Sequence, residues 1–105
     1  AGAKAALRPV YDVLAEKIQA FGSDVEFDPK KAYVSVRRKR QFAILQPTTA
    51  TRLDVGINLK GVPPGTRLEA SGSFNSMVSH RVRIQSAVDL DDELVAWLRQ
   101  AYEAA

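Results

Sequence analysis

Apolar residues recur every three or four positions near both ends of the chain, which is the spacing of an amphipathic helix. Near the amino end this spacing predicts a helix from Leu7 to Phe21, with Pro9 in the first turn and Gly22 just past the end. Its apolar stripe consists of Leu7, Val10, Tyr11, Leu14, Ile18 and Phe21.

A second helix is predicted at the carboxyl end, beginning after Asp91. Aspartate is a favoured N-cap, and the carboxylates of Asp92 and Glu93 suit the positive end of a helix dipole. The buried stripe of this helix is expected to contain Leu94, Val95, Leu98, Ala101 and Tyr102.

Between the helices the apolar period falls to two residues, which is typical of β-strands. The clearest case is RLDVGINLK, Arg52 to Lys60, in which Gly56 indicates a bulge or a close approach by another backbone. His80 to Gln85 is predicted to be another strand. The stretch from Ala32 to Gln46 is predicted to be a hairpin whose turn holds Arg37 to Arg40, and its second arm is apolar on both faces.

Two shorter features complete the predicted order. Asp24 to Phe27 is interpreted as a short edge strand, followed by a turn at Asp28, Pro29 and Lys30. Gly61 to Ser79 is rich in glycine, proline and serine and is interpreted as a long connection with short ordered pieces. The sequence therefore predicts an α+β two-layer fold: a four- to five-stranded antiparallel sheet with an N-terminal and a C-terminal helix packed on one face.

Composition narrows the classes of protein to consider. The 105 residues contain no cysteine, which excludes disulfides and thiolate chemistry and suits a cytoplasmic bacterial protein. No apolar run is long enough to span a bilayer, so we expect no membrane partner. Residues 1–6, AGAKAA, are expected to be a linker or remnant, and residues 7–105 a single domain.

Several blocks of the sequence carry a resemblance to a known family. They are LRPVYDVL, DPKKAYVSVRRKRQFAILQP, RLDVGINLKG, SGSFNSMVSHRVRI and DDELVAWLRQAYE. Together they resemble a bacterial domain of unknown function, family 5655, which has been labelled "predicted transport protein". The resemblance implies a neighbouring helical domain in longer chains. The carboxyl half is more loosely similar to the small MmcQ/YjbR-like α/β family, which implies DNA binding.

Basic residues form the first candidate site. If the strands pair as predicted, several guanidinium groups project from the sheet face away from the helices, as binding to a phosphate backbone requires. The alternative is a solvated face with cross-strand ion pairs, for instance to Asp54, and edge charges that oppose aggregation. The residues are Lys30, Lys31, Arg37, Arg38, Lys39, Arg40, Arg52, Arg81 and Arg83.

The second candidate site is the polar stretch from Ser71 to Arg81. Ser73, Asn75 or Ser79 would supply hydrogen bonds to a carboxylate or phosphate, and Arg81 would supply charge. The stretch also contains His80, the only histidine of the sequence. The alternative is a polar loop that bonds to its own backbone.

No catalytic, metal-binding or nucleotide motif is present in the sequence. His80 with Ser73 or Ser79 and with Asp54 has the residue types of a hydrolytic triad, but no nucleophile-elbow motif accompanies them. We therefore predict a non-enzymatic binding module without a cofactor, with nucleic acid or another anionic ligand as its partner. The alternatives are a protein-interaction or accessory domain of a longer chain, or a dimerisation module.

Overall fold

The computed structural model shows an α+β fold with two helices and, in the part of the chain it describes, six antiparallel strands. It describes residues 7–47, 49, 52–59, 61–65, 67–70 and 78–105. The elements in chain order are α1 (Arg8–Gln19), β1 (Glu26–Pro29), β2 (Val34–Arg37), β3 (Gln41–Pro47), β4 (Leu53–Ile57), β5 (Glu69–Ala70), β6 (His80–Ile84) and α2 (Asp92–Ala104). The predicted fold class is confirmed.

The sheet has the strand order β1-β2-β3-β4-β6-β5, one strand more than predicted. The additional strand is β5, which pairs only with β6, through Glu69 opposite Arg81 and Ala70 opposite His80. It lies in the segment interpreted as a connection. Two residues are too few to show an alternating pattern, so the sequence gives no signal for this strand.

The first hairpin is shifted from its predicted position. β1 continues through Asp28 and Pro29, which pair with Ser35 and Val34, and the turn follows, with the Lys30 amide donating to the Tyr33 carbonyl at 2.7 Å. The predicted turn at Asp28 to Lys30 is therefore wrong. Proline is compatible with the end of an edge strand because the amide hydrogen it lacks is not needed on the open side.

Both helices pack on one face of the sheet, where alternate strand residues form the core. Leu14 and Ile18 of α1 and Leu94 and Leu98 of α2 are completely buried there. Each such side chain contributes about 1.5–3 kcal/mol relative to an exposed one. The strand residues on this face are Val36, Ala43, Leu45, Leu53, Val55, Ile57, Val82 and Ile84.

A polar cluster joins the two helices to the β2–β3 turn. The Tyr102 hydroxyl donates to Asp24 Oδ1 at 2.8 Å, and Arg38 Nε donates to Asp24 Oδ2 at 2.8 Å. The Arg38 guanidinium also lies 4.5 Å from the centre of the Tyr102 ring. The ring in turn packs against Phe21 and Phe42, with ring centroids 5.5 and 5.8 Å away. Arg38 thus stabilises the packing of the helix layer.

The opposite face of the sheet, which we call the outward face, carries Ser35, Ile44, Gln46, Asp54, Gly56, Arg81 and Arg83. Its centre is apolar. A Cβ atom added to Gly56 would lie 2.7 Å from both Ile44 Cγ1 and Val78 Cγ2, so these two side chains pack closely over the glycine. The atoms that approach Gly56 belong to side chains, and not to another backbone as predicted. Ile44 is fully buried, although it lies on the face opposite the helices.

Candidate functional site

Strand register brings three arginines together at one end of the outward face. Asp54 on β4 lies opposite Gln46 on β3 and Arg83 on β6, and Gly56 lies opposite Arg81. Arg52 immediately precedes β4. Because side chains two residues apart on a strand share a face, Arg81 and Arg83 project on the same side as Asp54.

Two carboxylates hold these arginines in place. The carboxylate of Glu69 on β5 forms ion pairs with both Arg81 and Arg83. Arg81 Nη2 lies 3.4 Å from Oε1, and Arg83 Nε lies 3.0 Å from Oε2. Arg52 Nε lies 3.2 Å from Asp54 Oδ1, and the Asp54 side chain is completely buried. A buried carboxylate needs a charged or hydrogen-bonded neighbour, so Asp54 fixes the position of Arg52.

The degree of exposure differs among the three arginines. The Arg83 side chain is 49% exposed, whereas those of Arg52 and Arg81 are 26% and 18% exposed. Arg83 is therefore the group that solvent or a ligand reaches first, and the other two lie behind it. Guanidinium groups arranged around carboxylates in this way have the fork geometry that also suits phosphate and carboxylate ligands.

The four basic residues of the predicted turn, Arg37 to Arg40, do not lie together beside this arginine cluster. Arg37 is exposed at an outward-face position on β2, which β3 and β4 separate from β6. Arg38 lies on the helix side, against Asp24 and Tyr102, as described above. Lys39 and Arg40 are exposed in the turn, and Arg40 lines a separate pocket of about 210 Å³ beside the end of α2. A register shift between Val36 and Arg37 accompanies this divergence.

His80 is 5% exposed and lies on the helix side of β6, away from Arg81 and Arg83. Its Nε2 is 2.8 Å from the Val62 carbonyl oxygen, and its Nδ1 is 2.7 Å from Ser79 Oγ. A carbonyl only accepts, so His80 Nε2 donates to the Val62 oxygen, and Ser79 Oγ donates to the Ile57 carbonyl oxygen at 3.2 Å. Asp54 is on the other face of the sheet, so these three residues do not form a Ser–His–Asp arrangement.

Ser73 and Asn75, the other predicted ligand groups of the polar stretch, lie outside the described residues. Within the described ranges, no cluster of three or more histidine or acidic side chains is arranged to hold a metal ion. Neither helix there has the length and apolar character needed to cross a bilayer.

Sequence reasoning missed two residues near the arginine cluster. Glu69 lies in a segment interpreted as a connection, and only the register of β5 shows that it faces Arg81. Gln46 lines a groove of about 520 Å³ where β2 begins and β3 ends. Lys30, Lys31 and Tyr33 line the same groove, so part of the predicted basic surface borders on it.

One comparison with known proteins found a match, and it covers the whole chain. The model of a family described as a domain of unknown function, DUF5655, matches residues 1–105. No curated protein and no solved structure matches the chain. The chain therefore belongs to the DUF5655 family.

Proposed function

We propose that this domain is a binding module for an anionic group, a phosphate ester or carboxylate, held at Arg52, Arg81 and Arg83 on the outward face. The observation that carries the proposal is the meeting of Arg81 and Arg83 on one carboxylate, that of Glu69. Two guanidinium groups already aimed at a single anion require little rearrangement to receive another.

We expect an anionic ligand to displace the Glu69 carboxylate from Arg81 and Arg83. It belongs to a two-residue strand at the sheet edge, its side chain is 30% exposed, and its partner Arg83 is about half exposed. Ion pairs in such positions contribute about 0–1 kcal/mol, because water competes for both partners. A phosphate group carries more charge than a carboxylate and offers more acceptor oxygens, so we expect it to bind in place of Glu69.

The ligand is expected to be compact or to present one anionic group at the cluster. A long nucleic-acid backbone requires positive charges spread along a continuous track. Here Arg37 is two strands away from the cluster, and Arg38 is bound to Asp24. A terminal phosphate of a nucleic acid suits the cluster better, with Tyr33 near enough to the neighbouring groove to stack on a base. The similarity to the MmcQ/YjbR-like family stays a prediction.

A short single-stranded DNA distinguishes binding of a terminal phosphate from binding along the nucleic-acid backbone. We would measure fluorescence anisotropy of a labelled ten-residue oligothymidylate with and without a 5′-phosphate, at 20 and 200 mM salt. Binding that depends on the 5′-phosphate and weakens with salt is the expected result. Equal binding of both strands would indicate backbone tracking, and an absence of binding by both at 20 mM salt would refute the nucleic-acid version.

Charge-matched variants locate the site. We expect the double change Arg81→Gln and Arg83→Gln to weaken binding of the phosphorylated strand at least tenfold, since charged hydrogen bonds contribute about 1.5–3 kcal/mol each. The double change Arg8→Gln and Arg99→Gln removes the same two charges and is the control, because both are exposed residues of the helices, on the other side of the sheet. Equal losses in both proteins would show that net charge, and not this cluster, determines binding. Inorganic phosphate observed by NMR titration tests the same site without a nucleic acid.

Dimerisation through the open edge of β1 has less support. Pro29 lacks an amide hydrogen, and Glu26 and Asp28 place negative charges on the same four-residue strand. Edges with proline and charges resist pairing with a second copy. We expect this domain to bind its anionic ligand without pairing of β1 edges.

A further inference from the structure

A second groove lies on the helix side of the molecule, between α2 and residues 62–65 and 67–68. It has a volume of about 380 Å³. Val62, Pro63, Leu68 and Trp97 supply its apolar surface, and Arg67 and Glu93 lie among them. We call it the Trp97 groove. It is separate from the arginine cluster, since Trp97 is on α2 and the cluster is on the sheet face that α2 does not cover.

The walls of the Trp97 groove are fixed by polar contacts. Arg67 Nη1 lies 2.8 Å from both carboxylate oxygens of Asp91 and 3.2 Å from Glu93 Oε1, and Arg67 also donates to the Asp89 carbonyl. Its guanidinium is 5.9 Å from the centre of the Trp97 ring. The bond from His80 Nε2 to the Val62 carbonyl secures the opposite wall. A groove held in this way is largely formed before a ligand arrives, which lowers the entropy lost on binding.

The rim of the groove is acidic. Asp89, Asp91, Asp92 and Glu93 fall within five consecutive positions, whereas Arg67 is the one cation among the described residues that line the groove. The chain as a whole carries a net charge of +3, so this end of the molecule is opposite in sign to the rest. Arg67 is paired with both Asp91 and Glu93, but the Glu93 side chain is still 60% exposed, and Asp92 is exposed too. An anionic ligand or anionic lipid surface is disfavoured here, whereas a cation is favoured.

We infer that the Trp97 groove binds a short basic segment of a partner protein, one that inserts an apolar side chain between Pro63 and Trp97 and places a lysine or arginine beside Glu93. An aromatic ring with a neighbouring proline offers rigid apolar contact area, and tryptophan also attracts a cation over its face. The volume accommodates one or two side chains, which suits a peptide anchor, while the acidic rim selects its charge.

Intrinsic fluorescence tests this inference directly, because Trp97 is the only tryptophan of the chain. The probe is an acetylated and amidated peptide Lys-Pro-Leu-Lys-Arg, titrated into the full chain, with Glu-Pro-Leu-Glu-Glu as the charge-reversed control. The basic peptide is expected to shift the Trp97 emission in a saturable manner, and the acidic peptide to leave it unchanged. No shift with the basic peptide up to millimolar concentration, or an equal response to both peptides, would overturn the inference.

A pair of variants separates the groove from general charge effects. Glu93→Gln should weaken peptide binding about two- to fivefold, the range expected for one partly exposed ion pair. Glu103→Gln makes the same change in charge on the same helix, ten residues away, and should leave binding unaltered. Equal weakening by both variants would refute a role for the groove. Circular dichroism establishes that each variant is folded. Emission that depends on protein concentration without peptide would assign the groove to a second copy and overturn the inference.

Discussion

Arg67 and Asp91 form a contact that joins the connection before β5 to the start of α2. Arg67 Nη1 lies 2.8 Å from each oxygen of the Asp91 carboxylate. The same carboxylate caps the helix, because Asp91 Oδ1 accepts a hydrogen bond from the Leu94 amide at 3.1 Å. The hydrogen bond from Arg67, followed by that from Leu94, lowers the pKa of Asp91 below its ordinary value. One side chain therefore both begins a helix and anchors a loop.

Replacing Asp91 should separate these two roles. Asp91→Ala removes the cap and the partner of Arg67, whereas Asp91→Asn keeps an oxygen for the Leu94 amide and removes only the charge. We expect the urea midpoint at pH 7 to fall most in Asp91→Ala, less in Asp91→Asn, and least in the control Asp92→Asn, whose side chain is exposed. Equal midpoints for Asp91→Ala and the control would contradict the dual role.

The Tyr102–Asp24–Arg38 cluster predicts a pH dependence at both ends of the scale. The hydrogen bond from Tyr102, and then that from Arg38, lowers the pKa of Asp24. The ionised Asp24 therefore stabilises the folded protein fully at pH values above the pKa of the unfolded state, which is near 4. This contribution is lost as the pH falls through the pKa of the folded state. The bond to Asp24 and then burial raise the pKa of Tyr102. The protonated Tyr102 hydroxyl therefore contributes fully to stability below the pKa of the unfolded state, which is near 10. This contribution is lost as the pH rises through the pKa of the folded state.

Two variants test this dependence by urea unfolding at pH 3, 7 and 10.5. The urea midpoint of Asp24→Asn should be lower than that of the wild type at pH 7, and the difference between the two midpoints should be smaller at pH 3. Tyr102→Phe should show a smaller decline between pH 7 and 10.5 than the wild type. Asp12→Asn, at an exposed position of α1, is the control for the acid limb. Identical pH profiles for all four proteins would show that the cluster does not contribute.

The helices, β4 and β6 are predictable from the sequence because their residues repeat with a clear period. The Leu7–Phe21 prediction contains α1, and Asp91 is the cap that was predicted. Alternation along β6 also places Arg81 and Arg83 on one face. The position of Arg38 is not predictable in the same way. It depends on a register shift at Val36 and on Tyr102, which is 64 residues away in the chain. Local periodicity carries no information about such contacts.

Gly56 is predicted to resist substitution. In Gly56→Ala the new methyl group would lie 2.7 Å from carbon atoms of Ile44 and Val78, so the buried side chains must shift. Such overpacking costs about 1–3 kcal/mol. It outweighs the gain of about 0.4–1 kcal/mol that alanine brings by restricting the unfolded chain. We expect a net loss of about 1–2 kcal/mol in the free energy of unfolding.

Gly65→Ala is the matched control for that substitution, because no described residue apart from its chain neighbours lies within 4 Å of the position of its added methyl group. Its free energy of unfolding should stay within about 0.5 kcal/mol of the wild type. Urea unfolding of both variants measures the difference. A Gly56→Ala protein as stable as the control would mean that the outward face is loosely packed around Ile44.

Glu69→Gln should strengthen binding of the proposed anion. The change removes the charge that holds Arg81 and Arg83 in the free protein, and leaves the two guanidinium groups for the ligand. Loss of one partly exposed competing ion pair predicts an increase in affinity of about two- to fivefold. The phosphorylated strand described above supplies the measurement. Glu26→Gln, an exposed carboxylate on β1, controls for net charge. Weaker binding by Glu69→Gln would mean that Glu69 positions the arginines for the ligand.

The strand order has a consequence for synthesis on the ribosome. β6 lies between β4 and β5, although both precede it in the chain. While the nascent chain still ends before His80, the backbone groups along one side of Leu53–Ile57 have no native neighbour, and β5 has nothing to attach to. Unpaired strands of this kind are exposed to aggregation. Emergence of residues 80–105 therefore closes the sheet by inserting β6 between β4 and β5, and truncations that remove these residues should yield insoluble protein.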